Sequence, residues 1–386
     1  MKIAYCTNIW NHHQGPVCRE LAKLLGEDFK MVLFQPLDCQ WSKERISQGW
    51  NLIPPDESWI AGPPRTESEN ERKLLHDYLE SADVAIIGIS PYMDRRIISK
   101  RIRSGKLTFI MGERYFKKPR RFVDYFNLHC WHRWFRLWRL LHPRNVHFLQ
   151  QNYWCKDDLA FLHVCKGRTW QWGYLTDVPE AEPRQRTTAK LRIGWCGRML
   201  DWKHVEYLLQ AVSKVGAEVQ KRIEVEIVGG GPEKVNLEQL SDSLGLCKCV
   251  RFLDFMKKDQ VLEWMRGLDV YAFMSNREEG WGAALLESMG QGCVPIANEA
   301  AGSTLVAISD GVNGYVFKDG DVEAIGNRII WMIKHREELR KVSIAAWEGA
   351  RLLSPAQGAK RLIALVTALI SGKVVPSEEG LCKKVR

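Results

Sequence analysis

The sequence VYAFMSNREEGWGAALLESMGQGCVPIA, residues 270–297, passes through strand, loop, helix and strand patterns in turn. A short apolar run over 270–274 is typical of a buried strand. A polar loop with several glycines follows, then a helical pattern over 283–291 and a second apolar run over 294–297. Because parallel strands need a crossover helix between them, this order predicts a parallel sheet covered by helices.

The same alternation extends over the whole chain. Predicted strands cover 2–6, 31–34, 84–89, 108–111 and 146–150 in the first half, and 191–196, 223–228, 250–253, 270–274 and 294–297 in the second. Predicted helices cover 17–25, 68–81, 205–215, 237–244, 258–265, 283–291, 322–335 and 355–371. Strands and helices that alternate in this way indicate the α/β class.

A linker divides the chain into two domains. The segment TDVPEAEPRQRTTAK over 176–190 has two prolines, many charges and no apolar periodicity. The sequence therefore predicts the following division: a first domain over 1–178, a linker over 179–190, a second domain over 191–354, a helix over 355–372 that packs back toward the first domain, and a loose tail over 373–386. Both domains are expected to be doubly wound and Rossmann-like, facing each other across a cleft at the carboxyl ends of their strands.

Composition narrows the class of protein. A chain of 386 residues suits two domains, and 45% hydrophobic with 26% charged residues is an ordinary globular balance. We expect a cytoplasmic protein, because no apolar run has the length of a membrane span and the N-terminus has no signal-peptide pattern. The eleven scattered cysteines are expected to be reduced thiols, so a secreted disulfide scaffold is excluded.

Residues 91–150 are strongly basic, with fifteen lysines and arginines but three acidic residues. Such a patch indicates an anionic partner. Within it, DYFNLHCWHRWFRLWRLLHPR over 124–144 forms a helical pattern with arginines on one face and an aromatic face on the other. The aromatic face consists of Trp131, Trp134, Phe135, Trp138 and Leu141. This face suits either contact with an anionic membrane surface or packing in the core with the arginines solvated. Nucleic acid is not expected as a partner.

Two cations follow the first strand of the second half. Arg198 and Lys203, in the segment GRMLDWK, stand beyond the end of the strand and before a helix, where they could clamp a diphosphate. Alternatively they are solvated surface cations. The segment GGGP over 229–232 follows the next strand and serves either a turn or a close approach to a ligand.

Two carboxylates lie near the start of the helix over 283–291. Backbone N–H groups at a helix start form an anion site. Glu279 in the preceding loop could reach a sugar, and Glu287 in the helix could accept hydrogen bonds from ribose hydroxyls. The alternative is two surface glutamates of an amphipathic helix.

The pattern E-G-W-G-x-x-x-L-E-S-M-x-x-G-x-V-P-I, with seven residues between Glu279 and Glu287, resembles the retaining family-4 glycosyltransferases, the group 1 type. The segment GSTLVAISDGVNGYVF over 302–317 and the earlier G-R-x-x-x-x-K are similar to two further blocks of that family. The three blocks cover about residues 191–335 in the family's order. The resemblance implies the GT-B fold, with an acceptor-side domain over 1–178 and a nucleotide-sugar-binding domain over 191–354.

The resemblance also implies roles for individual residues. Arg198 and Lys203 should bind the diphosphate of a nucleotide sugar and take the place of a metal ion, so neither a metal nor a further cofactor is expected. Glu287 should bind the ribose, and Glu279 the donor sugar. The implied catalytic residues are Glu279, Arg198 and Lys203, and the implied donor-binding residues are Glu287, Gly280, Trp281, Gly282, Gly15, Ser303 and Thr304. His204 stands where the family usually has a glycine.

The first half departs from the family pattern. Gly15 remains of the usual glycine pair in the first loop, and His12 and His13 stand beside it, either as contacts to donor or acceptor or as ordinary loop polarity. The usual His-Asp pair after a middle strand is missing. Glu113 or Arg114 could take over its contacts to the sugar or phosphate.

The sequence thus predicts a retaining transferase that moves a sugar from a UDP- or GDP-sugar to a saccharide or lipid-linked acceptor in polysaccharide or glycolipid synthesis, in the cytoplasm or on the cytoplasmic face of a membrane. Two alternatives stay open. A sugar-nucleotide epimerase of similar fold would lack the block with two glutamates. A non-enzymatic basic adaptor would leave the motifs of the second half without a purpose.

Overall fold

The computed structural model describes residues 1–11, 13–47, 51–89, 93, 95–117, 127–183, 189–375 and 380–385. The chain forms two compact units. The first comprises residues 1–176 and 354–386, and the second comprises residues 177–353.

A parallel sheet forms the centre of the first unit. Its strands are β1 (Ile3–Thr7), β2 (Phe29–Leu33), β3 (Ile60–Ala61), β4 (Val84–Gly88), β5 (Thr108–Gly112), β6 (Val146–Gln150) and β7 (Thr169–Gln171). They lie in the order β3-β2-β1-β4-β5-β6-β7. Strand β1 pairs with β2 on one side and β4 on the other, so the winding reverses beside it. The central strands are buried on both faces, which explains their continuous apolar runs.

Seven helices of the described residues cover this sheet. They are α1 (Gly15–Leu25), α2 (Gln40–Ser47), α3 (Glu69–Ser81), α4 (Arg95–Arg103), α5 (Leu128–Leu141), α6 (Cys155–Phe161) and, from the end of the chain, α15 (Pro355–Ser371). Helix α15 packs on α1. Its ends are fixed locally, because Ser354 caps the backbone N–H of Gln357, Pro355 suits the first helical position, and Gly372 adopts a left-handed conformation.

The aromatic face predicted for α5 divides between core and surface. Trp134 and Leu141 are buried in the core of the first unit. Trp131, Phe135 and Trp138 are exposed, at 54%, 56% and 37%. The five side chains therefore do not share one environment, which corrects the prediction of a single face. The first residues of the predicted stretch, 124–126, lie outside the described part of the chain.

The second unit is built on a six-stranded parallel sheet. Its strands are β8 (Leu191–Arg198), β9 (Ile223–Gly230), β10 (Val250–Leu253), β11 (Val270–Phe273), β12 (Val294–Asn298) and β13 (Tyr315–Phe317), in the order β10-β9-β8-β11-β12-β13. Its helices are α7 (Val205–Lys214), α8 (Ala217–Gln220), α9 (Lys234–Ser243), α10 (Lys258–Arg266), α11 (Ala283–Gly290), α12 (Thr304–Ala307), α13 (Val322–Lys334) and α14 (Arg336–Leu352). One apolar core joins this sheet to α7 and α13.

Both units confirm the predicted α/β class with parallel, doubly wound sheets. The sequence patterns did not predict β3, β7 and β13, because these edge strands have two or three residues and carry no measurable periodicity. Among the described residues, no helix combines the length and the apolarity needed to cross a bilayer.

Part of the predicted linker packs into the second unit. The indole Nε1 of Trp347 donates to the backbone carbonyl of Pro179 at 2.8 Å. A Cβ added to Gly292 would lie 2.4 Å from the ring of Pro183, so this segment runs closely over the loop after α11. Residues 184–188 of the predicted linker lie outside the described residues.

The prediction of a loose tail is wrong for residues 380–385. Lys384 forms an antiparallel bridge with Trp170 of β7. The backbone N–H of Cys382 also donates to the carbonyl of Gln171 at 2.7 Å. Strand β7 is the last strand of its sheet, and the tail satisfies backbone groups that an open edge would leave to water.

Candidate functional site

Glycines bring the ends of β8 and β9 unusually close together. A Cβ added to Gly229 would lie 2.2 Å from the carbonyl oxygen of Gly197, and one added to Gly231 would lie 2.3 Å from that of Met199. Gly229 also has a φ of 123°, which other residues rarely adopt. The glycine run therefore serves a backbone approach that holds the loop after β8 in place.

That loop carries the two predicted clamp cations. Arg198, the last residue of β8, is exposed, and its side chain has no hydrogen-bond or ion-pair partner among the described residues. Lys203 ends a short 3₁₀ turn, and its Nζ donates to Oε2 of Glu279. The structure thus places one free cation and one paired cation at the carboxyl end of β8.

The loop between β11 and α11 carries Glu279 and ends at Gly282. Gly282 has a φ of 84°, and a Cβ there would lie 2.2 Å from the ring of Phe273. Only glycine fits, and helix α11 begins at the next residue. The carbonyl of the buried Trp281 accepts a backbone hydrogen bond from Ser303 at 3.1 Å, which joins this loop to the start of α12.

Glu287 is a largely buried carboxylate on α11. Its side chain is 12% exposed, and Lys258 Nζ lies 3.9 Å from Oε1. Within the described part of the chain, Oε1 has no hydrogen-bond partner. Burial raises the pKa of Glu287, and the charge of Lys258 opposes this effect. The carboxylate is therefore held in an environment that a hydrogen-bond-donating ligand would relieve.

Two buried hydroxyl groups lie at the start of α12. Ser303 and Thr304 are fully buried, and their hydroxyl oxygens have no partner among the described residues. Buried polar groups in folded proteins nearly always have hydrogen-bond partners. Together with Glu287, these hydroxyls give the second unit three buried polar groups that are suited to bind a ligand. No cluster of three metal-binding side chains occurs within the described ranges.

His204 takes part in the geometry of this site, although the sequence marks it only as a departure from the family pattern. Its backbone is left-handed, with φ 46° and ψ 44°. Its ring stacks on Tyr207 at a centroid distance of 4.5 Å. Its two nitrogens contact Glu206 and Asn276. The signal in the sequence was the unusual residue type, but the partner Asn276 is 72 positions away and could not be found from spacing.

Gly15, in contrast to the other predicted site residues, belongs to the first unit. It begins α1, and a Cβ there would lie 2.6 Å from the ring of Trp10. Packing under an aromatic ring thus explains this glycine without a ligand. Neighbouring His13 stacks on Tyr174 at 5.2 Å, whereas His12 lies outside the described residues.

Arg114 is committed to a buried ion pair in the first unit. Its guanidinium lies 3.0 Å from Asp158, with side-chain exposures of 8% and 0%. Asp158 also accepts the backbone N–H groups of Tyr115 and Phe116. The suggestion that Arg114 contacts a sugar or phosphate is therefore corrected, because this arginine organises the loop after β5. Glu113 accepts a 2.7 Å hydrogen bond from the hydroxyl of Tyr174.

The fold is similar to that of a known sugar-nucleotide-binding protein. The crystal structure of Anabaena HepE in complex with UDP superposes with a TM-score of 0.69, covering 95% of this chain and 100% of that one, at 15% sequence identity. At this identity the likeness concerns the fold alone. Two parallel α/β units with this likeness define the class: the chain is a GT-B protein.

The second unit matches a known protein family. Residues 180–348 match the family described as glycosyl transferases group 1. The D-inositol 3-phosphate glycosyltransferase of Geodermatophilus obscurus is 28% identical over 194 residues, which cover 45% of this chain and 43% of the relative. A lipopolysaccharide core biosynthesis glycosyltransferase of Rhizobium meliloti is 29% identical over 133 residues, 34% of this chain and 36% of the relative. The second unit is thus similar to the group 1 glycosyltransferases, and the chain spans about two fifths of the length of these curated relatives.

Proposed function

We propose that the chain is a retaining glycosyltransferase that takes a sugar from a nucleoside diphosphate sugar, with UDP or GDP as the leaving group. The acceptor is a hydroxyl of a saccharide or a lipid-linked saccharide in cell-surface polysaccharide or glycolipid synthesis. UDP is bound by the structurally similar HepE, and one relative is a lipopolysaccharide core biosynthesis glycosyltransferase. Both therefore support, for this chain, a donor and an acceptor of these classes.

The observation that carries this proposal is a set of three buried side-chain oxygens without hydrogen-bond partners among the described residues: Oε1 of Glu287 and the hydroxyl oxygens of Ser303 and Thr304. A carboxylate acceptor and two hydroxyls match a ligand that offers both hydroxyl donors and anionic oxygens. A nucleoside diphosphate offers both, on its ribose and its phosphates. We assign the ribose to Glu287 and the phosphates to the two hydroxyls.

Charge stabilisation is the proposed chemical contribution of the site. The bond between the anomeric carbon and the diphosphate oxygen breaks, the acceptor oxygen bonds to the same face of the sugar, and its proton passes to the departing phosphate. Arg198 and Lys203 would stabilise the growing negative charge on that phosphate, which is the role a metal ion has in other transferases. Glu279 would hold the donor sugar. Each group acts by preorganised electrostatics and positioning.

An anionic membrane surface is the proposed second partner. Leu128, Trp131, Phe135 and Trp138 are exposed on α5, and the same helix carries exposed arginines. Arg139 lies 5.9 Å from the ring centroid of Phe135, so cationic and aromatic groups stand side by side. Aromatic residues beside arginines suit the interface of an anionic bilayer. This partner fits a transferase that works on the cytoplasmic face of a membrane.

Isothermal titration with UDP, GDP, ADP and CMP, with EDTA present, tests the donor site. We expect tight binding of UDP or GDP. Glu287→Gln and Arg198→Ala should each weaken it by about 10- to 100-fold, the value of a hydrogen bond to a charged group. Glu218→Gln and Arg340→Ala are matched controls, because both side chains are exposed in the same unit.

The outcomes of this titration separate the alternatives. Loss of binding in both site variants but in neither control would support the donor site and name the base. No binding of any nucleotide by the folded protein would refute the proposal. Binding that disappears with EDTA would refute the metal-independent mechanism but leave the nucleotide site in place.

A further inference from the structure

His204 connects the turn over 201–204 to the loop over 275–279. Its Nδ1 lies 2.7 Å from Oε1 of Glu206, and its Nε2 lies 2.9 Å from Nδ2 of Asn276. The backbone adds a second connection between the same segments, a 3.0 Å hydrogen bond from the N–H of Asn276 to a carbonyl in the turn. Both segments belong to the second unit, and each carries one member of the Lys–Glu ion pair described above.

The backbone at His204 is one that glycine adopts far more easily. A left-handed conformation costs a non-glycine residue about 1 kcal/mol. The contacts of the imidazole with Glu206, Tyr207 and Asn276 offset this cost. A histidine at this position therefore contributes through its ring, and the ring bonds to the loop that carries Glu279.

The direction of each hydrogen bond follows from the partners. Oδ1 of Asn276 accepts the backbone N–H of Glu278 at 2.9 Å, so the amide NH₂ of Asn276 faces the ring of His204. Nε2 must then accept, and Nδ1 must carry the proton and donate to the Glu206 carboxylate. A neutral imidazole with its proton on Nδ1 therefore gives a hydrogen-bond partner to each of the groups between Glu206 and the backbone N–H of Glu278.

Protonation of the ring is incompatible with the same arrangement. A proton on Nε2 would face the NH₂ donor of Asn276. If the amide turned over, its NH₂ would instead face the backbone N–H of Glu278, which is also a donor. Either way, one hydrogen bond that holds the loop is lost.

We propose that neutral His204 is a positioning residue that holds the loop over 275–279 in its donor-binding conformation, and that protonation releases this loop. The inference rests on the proposed function, because Glu279 of this loop is the group assigned to the donor sugar. It makes donor binding sensitive to acid through a residue that touches neither the sugar nor the phosphates.

Acidic groups near the ring shift the pKa of His204. The Glu206 carboxylate raises the pKa of His204, Asp319 and Asp201 raise it further, and partial burial opposes them. Tyr207, which also titrates, stacks against the ring. The neutral form that holds the loop is therefore lost as the pH falls through this raised pKa.

Two variants isolate the role of the ring. His204→Gly removes it and relieves the left-handed backbone, so folding is not endangered. Glu206→Gln keeps an acceptor for Nδ1–H but removes the charge that favours protonation. Variant and wild type are compared at each pH rather than across pH, so that effects of pH on other groups of the protein cancel.

Binding of UDP-glucose and GDP-mannose by isothermal titration is the first measurement. We expect His204→Gly to bind whichever donor is accepted about tenfold more weakly than wild type near pH 8, the loss of one hydrogen bond, and equally weakly near pH 5.5. Glu206→Gln should bind the donor as tightly as wild type near pH 8. Between about pH 5.5 and pH 8 it should bind the donor more tightly than wild type does. Equal binding by His204→Gly and wild type near pH 8, or an unshifted profile of Glu206→Gln, would overturn the proposal.

Amide hydrogen exchange of a peptide spanning 275–282, without nucleotide, is the second measurement. We expect His204→Gly to exchange faster than wild type near pH 8 and at the same rate near pH 5.5. This readout needs no donor, so it separates the two proposals. If no donor binds but the exchange difference is found, the proposed function fails and the role of His204 in the loop survives. Equal exchange at both pH values refutes that role.

Discussion

Lys203 and Glu279 are 76 positions apart in the chain and form an ion pair in the second unit. Their side chains are 20% and 13% exposed, so the pair is partly shielded from solvent. The two residues are assigned to different parts of the donor, the diphosphate and the sugar. The pair neutralises both charges, so under the proposed assignment an incoming diphosphate would have to compete with Glu279 for the lysine.

This competition gives the two partners opposite effects on UDP binding. Lys203→Met removes a cation from the diphosphate and should weaken UDP by about 30-fold. Glu279→Gln frees the lysine and should tighten UDP by a few fold, about 1 kcal/mol. The same variant should lose the additional affinity of the sugar-bearing nucleotide. Titrations of UDP and UDP-glucose measure both effects.

The double variant Lys203→Met/Glu279→Gln supplies the control. It should bind UDP like Lys203→Met alone, because the glutamine has no lysine to release. If Glu279→Gln instead weakened UDP as much as Lys203→Met does, the glutamate would contact the nucleotide directly and the competition would be disproved.

The parts of the fold that the sequence predicts are those with strong periodicity. Strand β4 is a continuous apolar run, and its hydrophobic burial determines the strand whatever surrounds it. Strand β3 has two residues and exists because Met31 and Val32 of β2 offer it hydrogen-bond partners. Partners distant in sequence decide such edge strands, so a local pattern cannot reveal them.

The same distinction applies to the site. Arg198 and Glu287 are recognisable because each stands at a fixed offset from a strand or helix that the sequence predicts. The connection between His204 and Asn276 depends on how two loops meet, and no spacing encodes it. For α5, the helical period predicts the helix but not which of its aromatic side chains are buried. That depends on distant contacts such as Phe161, which packs edge-on against Trp134 at 5.1 Å.

Some aromatic side chains of α5 are buried and others are exposed, and this difference predicts which of them would contact the proposed membrane surface. The double variant Trp131→Glu/Phe135→Glu should fold normally and lose binding to vesicles of phosphatidylcholine with phosphatidylglycerol, because both side chains are exposed. Trp134→Glu should instead destabilise the first unit by several kcal/mol, since it buries a charge. Vesicle sedimentation at low salt and thermal unfolding measure the two effects.

Vesicles of phosphatidylcholine alone serve as the control, and they should bind the wild type weakly. Unchanged binding of the double variant to the anionic vesicles would exclude α5 as the docking surface.

The buried His147 should make the folded protein less stable in acid. It lies buried on β6, and the indole Nε1 of Trp170 donates to its Nδ1 at 2.9 Å. Burial lowers the pKa of His147 to about 4, and the charge of Arg168 adds to this effect. An unfolded histidine titrates near 6.5. The stabilisation that neutral His147 gives the folded state is therefore complete above that pH, and it is lost as the pH falls toward about 4.

The loss should amount to about 2–3 kcal/mol in the free energy of unfolding. His147→Gln keeps an acceptor for Trp170 but does not titrate in this range. Its stability in urea should therefore change less between about pH 7 and pH 4.5 than that of wild type. Replacement of the exposed His129 by Gln is the comparison, and equal pH dependence of all three proteins would contradict the assignment to His147.

The final residues should stabilise the first unit. Deleting 376–386 removes the antiparallel pairing with β7 and the buried Leu381, which is 1% exposed. A buried leucine contributes about 2 kcal/mol and each net hydrogen bond about 1 kcal/mol, so the deletion should cost about 3–5 kcal/mol. Amide exchange resolved by peptide should show faster exchange around Trp170 and unchanged exchange in 191–353. Leu381→Ala should reproduce part of the loss, and Lys383→Ala, at an exposed position of the same segment, none of it. A deletion variant as protected as the full chain would show that β7 needs no partner on this edge.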